Sequence, residues 1–590
     1  MFQSFAVTAR PADGPPRVAA LRAWMAERDL SAFLVPRADA HQGETVPASD
    51  ERLAWLTGFT GSAGFAVILP DRAAMFTDGR YTLQVRAQTD GDTFEYVDWP
   101  ATKLADWLAE ALPDGGRIGY DPWLHTIKEV RALSGLDLVP VENGVDAVWP
   151  DRPARPAAPV EAWPTDYAGK GDETKRAEIA EAVRAAGATA CVLTLPESIC
   201  WLLNVRGADL ARTPAVLAFA ILHADGRVDL FSDPEKFEGL DPDPAIALHR
   251  WDAFVPALAA LDGPAMVDPA WAPQAVADAL AAGGVERIDA PDPTALPKAC
   301  KSEAEIAATR EAHLRDAAAM VRFLRWYDEA SDGITEIDAV RALEGFRRGT
   351  NALRDISFET IAGSGPHGAL PHYRVDEESD RIVDPDSVMV LDSGGQYLDG
   401  TTDITRTIPR GDPPIGIRED FTRVLQGMIA VSRARFPRGV AGAHLDALAR
   451  APLWAAHKDY DHGTGHGVGV YLGVHEGPVR ISRVSTLPLA EGMILSNEPG
   501  YYRAGEYGIR IENLIVVTRA ERPEGGDDRD LLGFETLTWV PIDRRLIVAR
   551  MLGPWERDWI DAYHAGVRAR LSDRLTGEDR AWMERMTAPL

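Results

Sequence analysis

The stretch from residue 391 to residue 513 decides the fold, because each of its pieces is an apolar or β-branched run with one or two ionisable residues set into it. In chain order it contains Leu391-Asp392-Ser393-Gly394-Gly395, Thr401-Thr402-Asp403-Ile404-Thr405-Arg406-Thr407, His462-Gly463-Thr464-Gly465-His466-Gly467, Asn497-Glu498-Pro499-Gly500 and Ile509-Arg510-Ile511-Glu512-Asn513. Apolar runs favour burial, and a buried carboxylate is costly unless a positive group neutralises it. The four carboxylates of Asp392, Asp403, Glu498 and Glu512 exceed the positive charge that their neighbours supply. Two divalent cations would balance them, so this stretch predicts a two-metal site.

Strand periodicity indicates how these carboxylates meet. Asp392 ends a predicted strand, Gly394-Gly395 begins a turn, and Asp403 lies on the returning strand, so paired strands can present both acids on one face. The period of two also places Arg510 and Glu512 on one face. Carboxylates with a single imidazole favour a manganese-like ion over a thiolate-bound zinc. Each acid taken alone is more simply a solvated residue at a strand end, but five ligand-type residues in order favour a site.

The hexapeptide at residues 462–467 places two histidines among glycines. Glycine lets the backbone approach a ligand closely. A lone histidine is more often structural than a ligand. The pair His462 and His466, followed by His475-Glu476, favours a functional site.

Composition limits the classes of function. A chain of 590 residues with 46% apolar and 26% charged residues indicates a globular protein of several domains. No apolar run approaches the ~18–20 residues that span a bilayer, and residues 1–10 show no secretory signal. Three scattered cysteines (Cys191, Cys200 and Cys300) predict a reducing, cytoplasmic setting. A net charge of −28 makes nucleic acid and anionic membranes improbable partners.

The amino-terminal half shows one order of elements twice. A predicted helix (17–29), a strand (32–36), a strand around Trp55 (53–61) and two further strands (64–69 and 73–77) come first. A helix (179–186), a strand (190–196), a stretch around Trp201 (199–207) and strands at 216–222 and 228–231 repeat that order. Trp55 and Trp201 occupy matching places. A repeat of this length indicates duplication of one α/β domain rather than a solenoid.

Proline clusters separate the predicted domains. Prolines between residues 150 and 164 predict a semi-rigid linker, and Pro291, Pro293 and Pro297 close the second copy. Ser302-Glu303-Ala304-Glu305 then has the form of a capping box that opens a long helix, and a second helix opens near Thr335. The predicted domains are therefore residues 1–160, 161–298 and 299–590, the last ending in a charged helical region from residue 555.

Several motifs resemble those of the pita-bread metallopeptidases, in the Xaa-Pro aminopeptidase (aminopeptidase P) branch. The resemblance rests on Leu391-Asp392-Ser393-Gly394, Asp399-Gly400-Thr401-Thr402-Asp403-Ile404-Thr405-Arg406-Thr407, Asn497-Glu498-Pro499-Gly500-Tyr501-Tyr502, Asp39-Ala40-His41-Gln42 and Gly58-Phe59-Thr60-Gly61-Ser62-Ala63-Gly64. It covers nearly the whole chain and fits the three-domain form of that family. It implies an α/β (α+β) architecture with two related amino-terminal α/β domains followed by a carboxyl-terminal pita-bread catalytic domain.

The resemblance also implies roles for the metal ligands. Asp392 and Asp403 would bind one ion, Asp403 and Glu512 would bridge, and His466 and Glu498 would complete the other ion. The cofactors implied are two divalent ions per subunit, with manganese favoured. A metal-bridging hydroxide would attack the carbonyl before proline, and Glu498 would handle the proton.

Further residues are implied to contact substrate. His372 and His462 resemble the walls of a proline pocket, and His372 is also a catalytic candidate. His475 resembles a residue that steadies the substrate carbonyl and the tetrahedral intermediate, although a packing histidine is the alternative. Arg52, just before the predicted Trp55 strand, matches a substrate contact or is a surface arginine, and Arg510 is a further substrate-binding candidate. Pro371 departs from the aliphatic residue that many relatives carry, which affects only the pocket detail.

The implied substrate is a peptide with a free amino terminus and proline in second position. Its scissile bond is a tertiary amide without an N–H, so a shaped pocket and metals must replace that missing handle. A homodimer is expected from the resemblance. Two alternatives stay open: a prolidase that cuts only dipeptides, against which the extra domain argues, and an inactive peptide-binding relative, against which the intact ligand set argues.

Overall fold

The first amino-terminal sheet is a mixed sheet with strand order β4-β3-β2-β1-β5-β6 in the computed structural model, which describes residues 1–241 and 243–590. Its strands are β1 (Ala32–Pro36), β2 (Phe65–Ile68), β3 (Ala73–Thr77), β4 (Phe94–Asp98), β5 (Ile118–Tyr120) and β6 (Leu138–Pro140). The accompanying helices are α1 (Gly14–Ala26), α2 (Arg52–Thr57), α3 (Thr82–Gln88), α4 (Leu104–Ala111), α5 (Ile127–Ala132) and α6 (Gly144–Val148). Every residue of β3 is buried, which is typical of a central strand covered on both faces.

The second sheet repeats the first, with order β12-β11-β10-β8-β13-β14 among the described residues. The strands of this region are β7 (Glu161–Ala162), β8 (Ala190–Leu193), β9 (Val205–Arg206), β10 (Phe219–His223), β11 (Val228–Phe231), β12 (Ile246–His249), β13 (Ala265–Val267) and β14 (Arg287–Asp289). Its helices are α7 (Thr165–Ala168), α8 (Asp172–Ala185), α9 (Pro196–Leu203), α10 (Phe254–Ala259) and α11 (Gln274–Ala282). Along both sheets the pairings run parallel, antiparallel, antiparallel, parallel and parallel, which confirms the predicted duplication.

The stretch around Trp55 is a helix, so its prediction as a strand was wrong. Helix α2 ends at Thr57 and is capped by Gly58, whose φ of +89° is a left-handed conformation that glycine adopts without steric cost. Trp201 lies in the matching helix α9 of the second copy. The apolar run Leu53-Ala54-Trp55-Leu56 suits a buried helix or strand equally, since a short run does not fix the period.

The carboxyl-terminal half begins with long helices whose starts the sequence predicts. Ser302 accepts from the backbone N–H of Glu305, whose side chain accepts in return, so the predicted capping box is confirmed. Thr335 caps the next helix in the same way. The helices are α12 (Ala295–Ala299), α13 (Glu303–Glu329), α14 (Glu336–Arg348), α15 (Ile415–Ser432), α16 (Gly442–Trp454), α17 (Pro554–Leu571) and α18 (Gly577–Met586).

The strands of this half form sheets of two to six strands, on or beside which the predicted ligands lie. They are β15 (Leu353–Ile356), β16 (Ile361–Ser364), β17 (Ser387–Ser393), β18 (Gly395–Tyr397), β19 (Gly400–Thr401), β20 (Ile404–Arg410), β21 (Phe436–Pro437), β22 (Gly465–Gly467), β23 (Glu476–Ile481), β24 (Ile494–Asn497), β25 (Gly500–Arg503), β26 (Tyr507–Arg510), β27 (Asn513–Arg519) and β28 (Leu531–Thr536). Two of the sheets have the orders β16-β17-β20 and β21-β28-β27-β24-β22-β23, and β25 pairs with β26. Buried residues such as Val340, Leu391 and Val424 join helices and sheet in one apolar core.

The chain falls into two compact units. One comprises Val7–Thr165 and Lys170–Ala295, and the other comprises Met1–Ala6, Asp166–Gly169 and Leu296–Leu590. The mixed α/β fold class is confirmed, whereas the boundaries 1–160, 161–298 and 299–590 stay a prediction. In the described part of the chain, none of the helices has the length and apolarity to cross a membrane.

Candidate metal centre

Strand pairing brings Asp392 and Asp403 together. β17 and β20 are antiparallel, and Asp392 lies directly opposite Thr405. Asp403 precedes Thr405 by two residues, so it shares the face of Thr405 and is a diagonal neighbour of Asp392. Both acids are buried.

Three further residues complete the cluster. Ligand atoms of Asp403, His466 and Glu512 all lie within 4.8 Å of one another. His466 Nε2 is 3.5 Å from Asp403 Oδ2 and 3.4 Å from Glu498 Oε1. His466 comes from β22, Glu498 directly follows β24, and Glu512 directly precedes β27, so three neighbouring strands supply them.

The cluster carries more negative charge than its protein neighbours balance. Burial, with the nearby charges of Asp403 and Glu498, raises the pKa of the Asp392 carboxyl although Arg510 opposes the shift. Burial and the same neighbours raise the pKa of Glu512 well above its usual value. Among the described residues, the buried atoms Asp392 Oδ1 and Glu512 Oε1 have no hydrogen-bond partner. Oxygen atoms that are buried, crowded and unpartnered fit divalent cations, which take carboxylate ligands.

His466 is oriented for a cation as well. Its Nδ1 lies 2.9 Å from the carbonyl oxygen of Gly467, which fixes the tautomer and leaves Nε2 facing the carboxylates. Although burial opposes charge on the ring, Asp403 and Glu498 raise the pKa of His466 to about 9. A bound cation would replace that proton, since a metal-ligating imidazole is neutral.

Arg510 links two of the acids, one of them directly and the other through Thr405, which the sequence did not single out. Its Nη2 donates to Asp392 Oδ2 over 2.6 Å, and its Nε donates to Thr405 Oγ1 over 3.2 Å. Thr405 Oγ1 donates in turn to Glu512 Oε2 over 2.8 Å. Thr405 was recoverable from its spacing of two after Asp403. The structure therefore gives Arg510 a place among the acids, and its substrate contact stays a prediction.

Tyr502 connects Arg510 to His462. Arg510 Nη1 donates to the Tyr502 hydroxyl over 2.6 Å, and that hydroxyl lies 2.9 Å from His462 Nε2. His462 Nδ1 donates to its neighbour's carbonyl, so Nε2 accepts the tyrosine proton. Burial lowers the pKa of His462 to about 4, which keeps the ring neutral.

The remaining candidates differ in their surroundings. The His475 ring is exposed and packs edge-on against His466, with ring centroids 4.3 Å apart. His372 is half-buried and adjoins Tyr373, whose hydroxyl donates to the buried Glu336 carboxylate over 2.9 Å. Arg52 belongs to the amino-terminal unit, where it is buried and bonded to Asp50 and Asp146.

Comparison with known proteins places the chain in a family. The profile of metallopeptidase family M24 matches residues 307–519, and its carboxyl-terminal region matches residues 530–590. Two profiles of the creatinase/prolidase amino-terminal domain match residues 17–148 and 151–305. The chain belongs to metallopeptidase family M24, in its Xaa-Pro aminopeptidase branch, which confirms the resemblance, the pita-bread fold and the class of metalloexopeptidase.

Relatives that align with nearly the whole chain support that assignment. Aminopeptidase P2 from Arabidopsis thaliana is 38% identical, with 95% of this chain and 86% of the relative aligned. A probable Xaa-Pro aminopeptidase P from Laccaria bicolor is 38% identical over 97% of this chain and 93% of its own. The X-prolyl aminopeptidase of Caenorhabditis elegans, a cytosolic enzyme with a di-nuclear active site, superposes with a TM-score of 0.91, 31% identity and 98% and 99% coverage. A prolidase from Pyrococcus horikoshii covers 62% of this chain, with a TM-score of 0.50 and 25% identity.

Proposed function

We propose that this chain removes the amino-terminal residue from peptides that carry proline in second position. One observation carries the proposal: buried carboxylates converge on His466 and leave Asp392 Oδ1 and Glu512 Oε1 unpartnered among the described residues. Relatives that align along almost the whole chain include a probable Xaa-Pro aminopeptidase P from Laccaria bicolor and the X-prolyl aminopeptidase of Caenorhabditis elegans. In this assignment Asp392, Asp403, His466, Glu498 and Glu512 hold two divalent ions.

Paired ions supply one part of the chemistry, because bound divalent metals polarise a carbonyl and lower the pKa of water, as in other aminopeptidases. Glu498 is the proposed proton carrier. Ser496 Oγ donates to Glu498 Oε1 over 3.1 Å, and the backbone N–H of Glu498 donates to the carbonyl of Thr464. These two bonds fix the Glu498 carboxylate beside His466. His475, exposed next to His466, is the proposed donor to the developing charge on the scissile carbonyl.

Proline recognition is assigned to the neutral His462, to Tyr502 and to His372. The proline ring offers an apolar surface and no N–H, so ring packing has to replace a backbone hydrogen bond. His462 and Tyr502 lie with ring centroids 5.4 Å apart and roughly perpendicular, an arrangement that offers an edge and a face to a ring. Arg510 would hold this pair in place, and Arg52 is kept as a proposed substrate contact.

Three finer properties belong to the same proposal. Manganese is the favoured ion, because the ligand set is carboxylate-rich with one imidazole and no thiolate. A homodimer follows from the resemblance alone. A cytoplasmic location is supported by the cytosolic relative from Caenorhabditis elegans.

Peptide length separates this function from a prolidase. An Xaa-Pro-Pro tripeptide and the Xaa-Pro dipeptide with the same first residue are assayed side by side with purified, manganese-loaded protein. We expect release of the first residue from the tripeptide. Activity confined to the dipeptide would make the chain a prolidase, and binding without cleavage of either would make it an inactive peptide-binding relative.

A further inference from the structure

Glu476 is a fully enclosed carboxylate next to an exposed histidine. It begins β23, and its exposed fraction is 6%. Along Val474-His475-Glu476 the burial alternates between buried, exposed and buried, as it does in a strand. The chain thus presents His475 on the His466 side and turns Glu476 into the protein.

Two lysines enclose that carboxylate. Lys298 Nζ lies 3.1 Å from Glu476 Oε2, and Lys301 Nζ pairs with Oε1. All three side chains are at most 7% exposed. Although burial alone would raise it, the two lysines hold the pKa of Glu476 below its usual value. A buried carboxylate is fixed by such pairing, because leaving it would strand charges away from water.

The lysines are themselves anchored to the strand that leads to Glu498. The backbone N–H of Lys301 donates to the carbonyl of Gly492 over 3.0 Å. The backbone of Cys300 forms an isolated antiparallel β-bridge with Met493. β24 starts at Ile494 and Glu498 follows its end. The segment from Lys298 to Lys301 therefore ties the start of β23 to the strand that presents another ligand.

Close packing leaves Glu476 little freedom. Its backbone pairs with Gly467, directly after His466, and a Cβ on Gly467 would come within 2.2 Å of the Glu476 carbonyl oxygen. A Cβ on Gly469 would lie 3.1 Å from Glu476 Oε2. Glu476 is thus fixed both by the ion pairs of its side chain and by the close packing around its backbone.

We propose that Glu476, held by its ion pairs with Lys298 and Lys301, is a positioning residue. It keeps His475 where its side chain can donate to the carbonyl oxygen of the scissile bond. The proposal rests on the proposed function, in which His475 stabilises developing charge. A donor of that kind loses about 100-fold in rate when it is misplaced by roughly 1 Å. Because Glu476 follows His475 directly, ion pairs that fix Glu476 also fix the backbone that carries the His475 side chain.

A double-mutant cycle separates positioning from general stabilisation. Wild type, E476Q, H475A and the double variant are compared for kcat, KM and bound metal on an Xaa-Pro-Pro tripeptide. We expect E476Q to lower kcat by roughly 10–100-fold with KM and metal content little changed, and H475A to lower kcat by about 10²–10³. In the H475A background E476Q should then cost less than about threefold, because the residue through which it acts is gone.

If the wild type is active and the losses in kcat of E476Q and H475A are additive, Glu476 acts independently of His475. That result would overturn this inference and leave the proposed function standing. A wild type that fails to release the first residue would overturn the proposed function and this inference with it. Glu556 is a matched control: it is also 6% exposed, bonds to Gln426 and Gly553, and should tolerate E556Q without loss of kcat. If E476Q does not fold, the cycle is run with E476Q and K301M together, which leaves a single buried ammonium group.

Discussion

Arg510 Nη2 donates to Asp392 Oδ2 over 2.6 Å although the two residues are 118 positions apart. The same guanidinium reaches Thr405, whose hydroxyl donates to Glu512. One buried arginine thus holds an oxygen of each acid, directly or through Thr405. The opposite oxygens, Asp392 Oδ1 and Glu512 Oε1, are the ones without a partner in the described chain. Arg510 therefore turns two carboxylates toward the same space.

Asp403→Asn should abolish the stabilisation that metal gives. Manganese at 100 times its dissociation constant stabilises the folded wild type by about 2.7 kcal/mol, and the variant should gain little. Thermal unfolding with and without manganese, together with metal quantification, measures this loss. Two bound metals and normal turnover in the variant would show that Asp403 is not a ligand.

Arg510→Lys should lower metal affinity or kcat/KM by about 10–100-fold, the usual range for partners that orient metal ligands. A lysine ammonium is a compact point charge and cannot bond Asp392, Thr405 and Tyr502 at once in fork geometry. Titration with manganese and steady-state kinetics report the two quantities. Arg503→Lys is the control on the same hairpin, since Arg503 is exposed and pairs with Glu506. Equal behaviour of the two variants would remove the orienting role of Arg510.

Asp39→Asn should reduce the decrease in the free energy of unfolding that the wild type shows between pH 5 and pH 8. Burial, with the charge of Asp50, raises the pKa of Asp39 to about 7. A pKa that is higher in the folded state than in the unfolded state gives stability at acidic pH that is lost as pH rises through 7. The wild type should lose on the order of 2–3 kcal/mol over this interval through Asp39. Asparagine keeps the acceptor for the His41 N–H and does not titrate.

Urea unfolding at both pH values measures that difference. Asp29→Asn is the control, because Asp29 is an exposed residue of the same unit. A parallel pH dependence of wild type and Asp39→Asn would show that Asp39 is ionised in the folded protein at both pH values.

The sequence predicted the parts of the site that depend on local spacing. Asp392 and Asp403 flank a glycine turn, so their shared face follows from the period of two. Tyr502 and Glu476 could not be found in that way. Tyr502 meets His462 across 40 positions, and Glu476 meets Lys301 across 175, so both pairings depend on the tertiary fold. The helix around Trp55 was missed because a short apolar run has no readable period.

The central claim is that this site cleaves before proline with metal bound. The direct measurement is release of the first residue from two manganese-loaded reactions, one with an Xaa-Pro-Pro tripeptide and one with the matching Xaa-Ala-Pro tripeptide. We expect turnover of the proline peptide, near inertness of the alanine peptide, and loss of activity after chelation that returns with manganese. Equal rates on the two peptides, or full activity in metal-free protein, would contradict the account.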